Sequence, residues 1–115
     1  MIRRAIELKK ETINELRGGK GQVELIHILE KDELGGKGRL YARNILKPGA
    51  SIGFHQHSGE FEAYYIISGE GTVNDNGILV PVKAGDLVRT DNGQSHSIEN
   101  TGNTDLEFIA LILFE

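Results

Sequence analysis

The chain has 115 residues and a net charge of −4, from 13 basic and 17 acidic side chains. That length fits one domain over residues 1–115, the mixed charge leaves no electrostatic footprint for nucleic acid, and no apolar run approaches the ~20 residues that span a membrane. There is no cysteine, which excludes disulfides and thiolate metal sites, and the charged N-terminus lacks the apolar stretch of a secretory signal, so a cytoplasmic protein is expected.

Residues 2–17 are expected to form a short helix, although their apolar spacing is irregular. Arg17-Gly18-Gly19-Lys20-Gly21 then breaks the chain. It reads as a flexible turn with one exposed lysine, in preference to an anion cradle of backbone N–H groups. Strands are expected at 22–30, 39–47 (ended by Pro48-Gly49), 52–57 and 61–68. Asn74-Asp75-Asn76-Gly77 separates Thr72-Val73 from the strand 78–82, and Asn-Gly tolerates the positive φ of a tight hairpin. Further strands follow at 87–90 and 95–99 between Gly-containing turns. The final strand, 106–114, is nearly all apolar, so burial of both faces is expected, the second by a partner subunit in a homodimer. Fifteen glycines spread between short β-rich runs read as a many-stranded antiparallel barrel.

Three of the four histidines fall in two glycine-bounded strand segments. His55 and His57 are two apart, which on a strand aims both rings to one face. Glu62 lies past a turn at Ser58-Gly59, where a returning strand can bring its carboxylate alongside. His96 comes from a distant strand. Three neutral imidazoles and a carboxylate suit a borderline divalent ion. The fourth, His27, reads as a core or interface histidine rather than a fifth ligand.

These spacings resemble the cupin superfamily. Its first motif is matched by Gly49, His55, His57, Glu62 and Gly69, and its second by Gly85, Gly93, His96 and Asn100. Asp91 stands where the second motif has proline, but Asp before Asn-Gly is itself good turn chemistry. The resemblance covers residues 39–114 and implies an all-β jelly-roll, the antiparallel double-stranded β-helix, flanked by an N-terminal extension over 1–38. It also implies that His55, His57, Glu62 and His96 hold one metal ion inside the barrel, Mn²⁺ first, with Fe²⁺, Ni²⁺ and Zn²⁺ as alternatives. Glu60 shares parity with Glu62 and is the rival carboxylate; only Glu62 leaves six residues before Gly69. Asn100 would be a strand-end residue.

Four protein ligands leave two positions on an octahedral ion, which suits a bidentate oxygen ligand. The expected function is that of a metal-dependent enzyme acting on a small oxygenated carbon compound, by isomerase, lyase or decarboxylase, or dioxygenase chemistry. The alternative is a small-ligand-binding or sensing module. Tyr64 is the candidate proton-transfer residue: Glu62-x-Tyr64 is similar to the pairing in the cupin dimethylsulfoniopropionate lyases, where such a tyrosine is the base. It can equally be an aromatic filling the barrel. Ile66 and Ile98 continue the inward rows and suggest a partly apolar pocket. Small cupins of this kind are often called oxalate-decarboxylase-like or mannose-6-phosphate-isomerase-like. Oxalate decarboxylases carry an arginine three residues before the first ligand histidine, and this chain has Ile52 there. That disfavours oxalate unless a basic residue such as Arg43 or Arg89 enters the pocket from a neighbouring strand.

Overall fold

A computed structural model describes residues 1–115. Its ten strands are β1 (Lys10–Asn14), β2 (Gln22–Leu29), β3 (Gly38–Leu46), β4 (Ser51–Gln56), β5 (Glu60–Ser68), β6 (Glu70–Asp75), β7 (Ile78–Lys83), β8 (Leu87–Thr90), β9 (Ser95–Glu99) and β10 (Leu106–Phe114). They form two antiparallel sheets, one of six strands in the order β1-β2-β3-β10-β5-β8 and one of four in the order β4-β9-β6-β7. This is the expected double-stranded β-helix. No helix is long and apolar enough to cross a membrane.

The expected helix over 2–17 is absent. That stretch holds single helical turns at Ala5–Glu7 and Leu16–Gly18 with β1 between them. β1 is a sheet edge, pairing only with β2, and four of its five residues are exposed. An edge strand in water needs no apolar alternation, so Lys10-Glu11-Thr12-Ile13-Asn14 carries no strand signal.

The core lies between the sheets, where inward residues alternate along each strand. Phe108, Leu46, Ile66 and Ile98 have no more than a trace of exposure. β10 is central, flanked by β3 and β5. Its inward residues Leu106, Phe108, Ala110 and Ile112 are buried, and its outward residues are half-buried within the single chain. The hairpin β6–β7 turns on Asn76 (φ 51°) and Gly77 (φ 106°), both in the left-handed region, as its Asn-Gly requires. The Asp91 turn closes through Gln94 N–H donating to the Asp91 carbonyl at 3.0 Å. Asn100 donates to the carbonyls of Leu46 and Thr104 at 2.8 Å each, a role in fastening strand ends.

The Gly18–Gly21 segment is neither a loose turn nor an anion cradle. It is strapped to β4: the Ser51 N–H donates to the Lys20 carbonyl, and the Lys20 N–H to Ser51 Oγ, both at 2.9 Å. A Cβ at Gly53 would run into the Arg17 carbonyl, and one at Gly19 into the Ser51 carbonyl. Glycine at both positions lets the two backbones touch.

Candidate metal centre

β4 and β9 are neighbours, and His55 pairs directly with His96. Strict alternation from the buried Ile52 would turn His55 outward. A register shift between Ile52 and His55 turns it back in. β4 ends at Gln56, and His57 is then pinned by two backbone bonds: its N–H donates to the Gln94 carbonyl at 3.0 Å, and its carbonyl accepts from Gly93 at 2.7 Å. Glu62 arrives from β5, in the opposite sheet. The site therefore bridges the two sheets at one end of the barrel.

The three imidazole rings stand 4.8 Å apart, centroid to centroid, in each of the three pairs. One nitrogen of each ring is anchored outward. His55 Nδ1 meets the Gly53 carbonyl at 2.7 Å, His57 Nδ1 meets Glu60 Oε2 at 2.5 Å, and His96 Nδ1 meets Thr90 Oγ1 at 2.7 Å. The carbonyl and carboxylate are acceptors only, so those Nδ1 atoms carry the proton and Nε2 is left with a bare lone pair. The inward atoms crowd one another. His57 Nε2 lies 3.0 Å from His96 Nε2, and both lie 3.0 Å from Glu62 Oε1. His57 and His96 are 1% exposed and Glu62 4%. Acceptors facing acceptors out of water repel unless a cation joins them.

A shared proton relieves one such pair, whereas a metal ion relieves all of them. Donors held at right angles about 2.1 Å from an ion stand about 3.0 Å apart, which is the spacing seen. His55, His57, Glu62 and His96 offer donors that all lie within 4.8 Å of one another. The residues fit a divalent ion.

Glu60, the rival carboxylate, is not in this group. It accepts from Arg39 Nε and an Arg39 terminal nitrogen at 2.7 Å each while holding His57 Nδ1. Arg39 is the first cause of its depressed pKa, down to about 2, with burial opposing and His57 helping. Arg39, Glu60 and His57 thus form a chain that fixes ring orientation, as carboxylates behind metal-binding histidines do. Position in the sequence gave no sign of Arg39, because its pairing depends on how β3 meets β5 across β10.

Burial alone would lower the His57 pKa, but hydrogen bonds to Glu62 and Glu60 outweigh it and the net shift is upward. Burial lowers that of His55, with the Gly53 carbonyl opposing and the charges of His96, His57 and Arg17 adding. A proton on His57 occupies the place of the metal below its raised pKa. Metal affinity is therefore expected to fall as pH is lowered from 8 through His57's pKa, above the ordinary 6.5, and proton release should accompany loading. Calorimetric titration in buffers of different ionisation enthalpy measures both.

Tyr64 stacks on His96 at 5.0 Å and tilts against Phe108 at 4.6 Å. Burial, followed by the neighbouring Glu62 charge and hydrogen bond, raises its pKa well above 10. In the metal-free site this phenol therefore keeps its proton at neutral pH.

Beside the centre opens a cavity of about 150 Å³, reached by His55, His57, Glu62 and Tyr64. A cavity of this size holds about six heavy atoms, the size of benzene. Its apolar walls are Ile13, Leu16, Leu25, Leu40, Ile52 and Ile112; Ile66 and Ile98, expected there, lie in the core instead. Arg43 and Arg89 do not enter it. Arg43 pairs with Glu107 at 2.7 Å, and Arg89 lies 4.2 Å over the Phe61 ring. The basic residues that do line the cavity are Arg17 and Arg39, with the amide of Asn44. His27 takes no part; it bonds Glu11 at 2.7 Å, where β1 meets β2.

The family described as the cupin domain matches residues 43–112. A Thermotoga maritima protein named oxalate-binding protein is 58% identical over 113 residues, covering 98% of this chain and 93% of that one. A crystal structure from the same organism, described as a predicted oxalate decarboxylase, superposes with a TM-score of 0.94 at 56% identity, covering 100% of both chains. A Klebsiella pneumoniae protein with a double-stranded β-helix domain is 27% identical with a TM-score of 0.68, covering 77% of this chain and 74% of that one.

Proposed function

Because the chain belongs to the cupin family, matching it over residues 43–112, we propose that it holds one divalent ion on His55, His57, Glu62 and His96 and binds a small dicarboxylate of the oxalate class there. The observation that carries this reading is the convergence of His57 Nε2, His96 Nε2 and a Glu62 oxygen at 3.0 Å beside a cavity of about 150 Å³. Near-right-angle spacing suits an octahedral ion, Mn²⁺ first, over tetrahedral Zn²⁺. Four protein donors leave room for a chelating ligand, and the bound ion supplies Lewis-acid polarisation. Charge argues for an anion: Arg39 neutralises Glu60, so a divalent ion beside Glu62 keeps one net positive charge. The oxalate-binding relative at 58% identity supports the ligand class.

Titrating oxalate into Mn²⁺-loaded and chelator-stripped protein tests this. One oxalate per chain is expected for the loaded form only; equal binding by both forms, or binding by neither, contradicts it. The enzyme reading is favoured by the open coordination positions, and Tyr64 would be its proton donor. Steady-state release of carbon dioxide or formate from oxalate establishes it; ligand binding without product leaves the binding module.

The homodimer belongs to the same proposal. Ile109, Leu111 and Leu113 face outward at the middle of the six-stranded sheet, beside the exposed Tyr65 and Leu87. A second copy would cover them. Light scattering at micromolar concentration is expected to give twice the chain mass of 12.7 kDa; a monomer mass refutes it.

A further inference from the structure

We infer that Arg17 is the specificity-determining residue of this site, its guanidinium closing over the outer oxygens of a metal-chelated dicarboxylate. The inference rests on the proposed function and names the residue that selects the ligand.

Arg17 lines the cavity of the metal centre together with His55. It makes no salt bridge, unlike Arg39, which Glu60 occupies at both ends of its fork. Arg17 is exposed and unpaired, so its guanidinium is free to turn toward a ligand in that cavity. Its backbone is held for this position. Arg17 sits at φ 56°, in the left-handed region that arginine rarely adopts, inside a turn fastened to β4 through Lys20 and Ser51. The absence of a side chain at Gly53 lets the Arg17 carbonyl approach. Backbone strain kept by surrounding contacts is a mark of functional positions.

The geometry of the ligand fits the fork. A dicarboxylate such as oxalate that chelates through one oxygen of each carboxylate leaves its other two oxygens side by side on the far edge. A planar guanidinium binds such a pair with two parallel hydrogen bonds, which an ammonium cannot reproduce. Arg17 thus supplies, from the N-terminal strap, the cation that position 52 lacks.

The test is calorimetric titration of Mn²⁺-loaded parent, Arg17→Gln and Arg17→Lys proteins with oxalate and with glycolate, which has one outer oxygen when chelated. Arg17→Gln is expected to weaken oxalate about 10- to 100-fold, in line with loss of a charged bidentate pair. Arg17→Lys should recover only part of this, and glycolate should lose less than oxalate. Mn²⁺ affinity should be unchanged in both variants, which shows an intact fold and centre. Oxalate binding by Arg17→Gln equal to the parent's overturns the inference and leaves the proposed function standing. Failure of the Mn²⁺-loaded parent to bind oxalate overturns both.

Discussion

Replacing His57 with alanine is expected to cost more than about 100-fold in metal affinity and to destabilise the metal-free protein by about 3–5 kcal/mol. The two losses have different origins. The first is the removal of one of four donors. The second arises because His57 is buried between two carboxylates, with Nδ1 on Glu60 at 2.5 Å and Nε2 3.0 Å from Glu62. Truncation leaves both buried acidic groups without that partner. His55→Ala separates the effects. His55 is half-buried, and its one hydrogen bond goes to a backbone carbonyl. It should lose metal as His57→Ala does while keeping the metal-free melting temperature near that of the parent. Metal titration and thermal melts of the stripped proteins check both. If His55→Ala still takes up one ion with parental affinity, the four-donor site is wrong.

Glu60→Gln and Glu62→Gln should differ in kind. Glu62 offers an oxygen to the ion, so Glu62→Gln is expected to abolish stoichiometric loading at micromolar metal. Glu60 stands behind His57, and Glu60→Gln keeps the shape but removes the charge that anchors Nδ1 and holds Arg39. It should still bind one ion per chain, about 10- to 100-fold more weakly, the usual cost of losing such a supporting carboxylate. Equal losses in the two variants would mean that both carboxylates ligate.

Much of the centre was legible in the sequence. His55, His57 and His96 follow from spacing, because two-residue periodicity puts alternate side chains on one face and glycine turns fix where strands reverse. Even so, His55 faces inward only through the shift after Ile52, which no spacing rule reports. Glu62 and Glu60 share parity, so alternation could not separate them; Arg39, brought across by β3, captures Glu60. The hairpin at Asn76-Gly77 was legible because positive φ at two successive residues demands those types.

Other features were hidden for identifiable reasons. β1 has charged and polar residues on both faces because water covers most of it. Arg43 and Arg89 were candidates for the pocket, but the register of β3, β10, β5 and β8 puts them on the outer face. Register between strands distant in sequence is set by the packed sheet, not by either strand alone. Arg17 lies in a stretch read as a turn, and its place beside the metal centre depends on how that stretch lies along β4. The signal, visible only afterwards, is the pairing of glycines at 19 and 53, which allows the two backbones to meet.

The most direct test of the account is a crystal structure of Mn²⁺-soaked protein with anomalous data collected near the manganese edge. The expected result is one anomalous peak per chain, within bonding distance of a nitrogen from each of His55, His57 and His96 and of a Glu62 oxygen, with Glu60 still on Arg39. No peak among these four side chains, or a peak coordinated by Glu60 in place of Glu62, would contradict it.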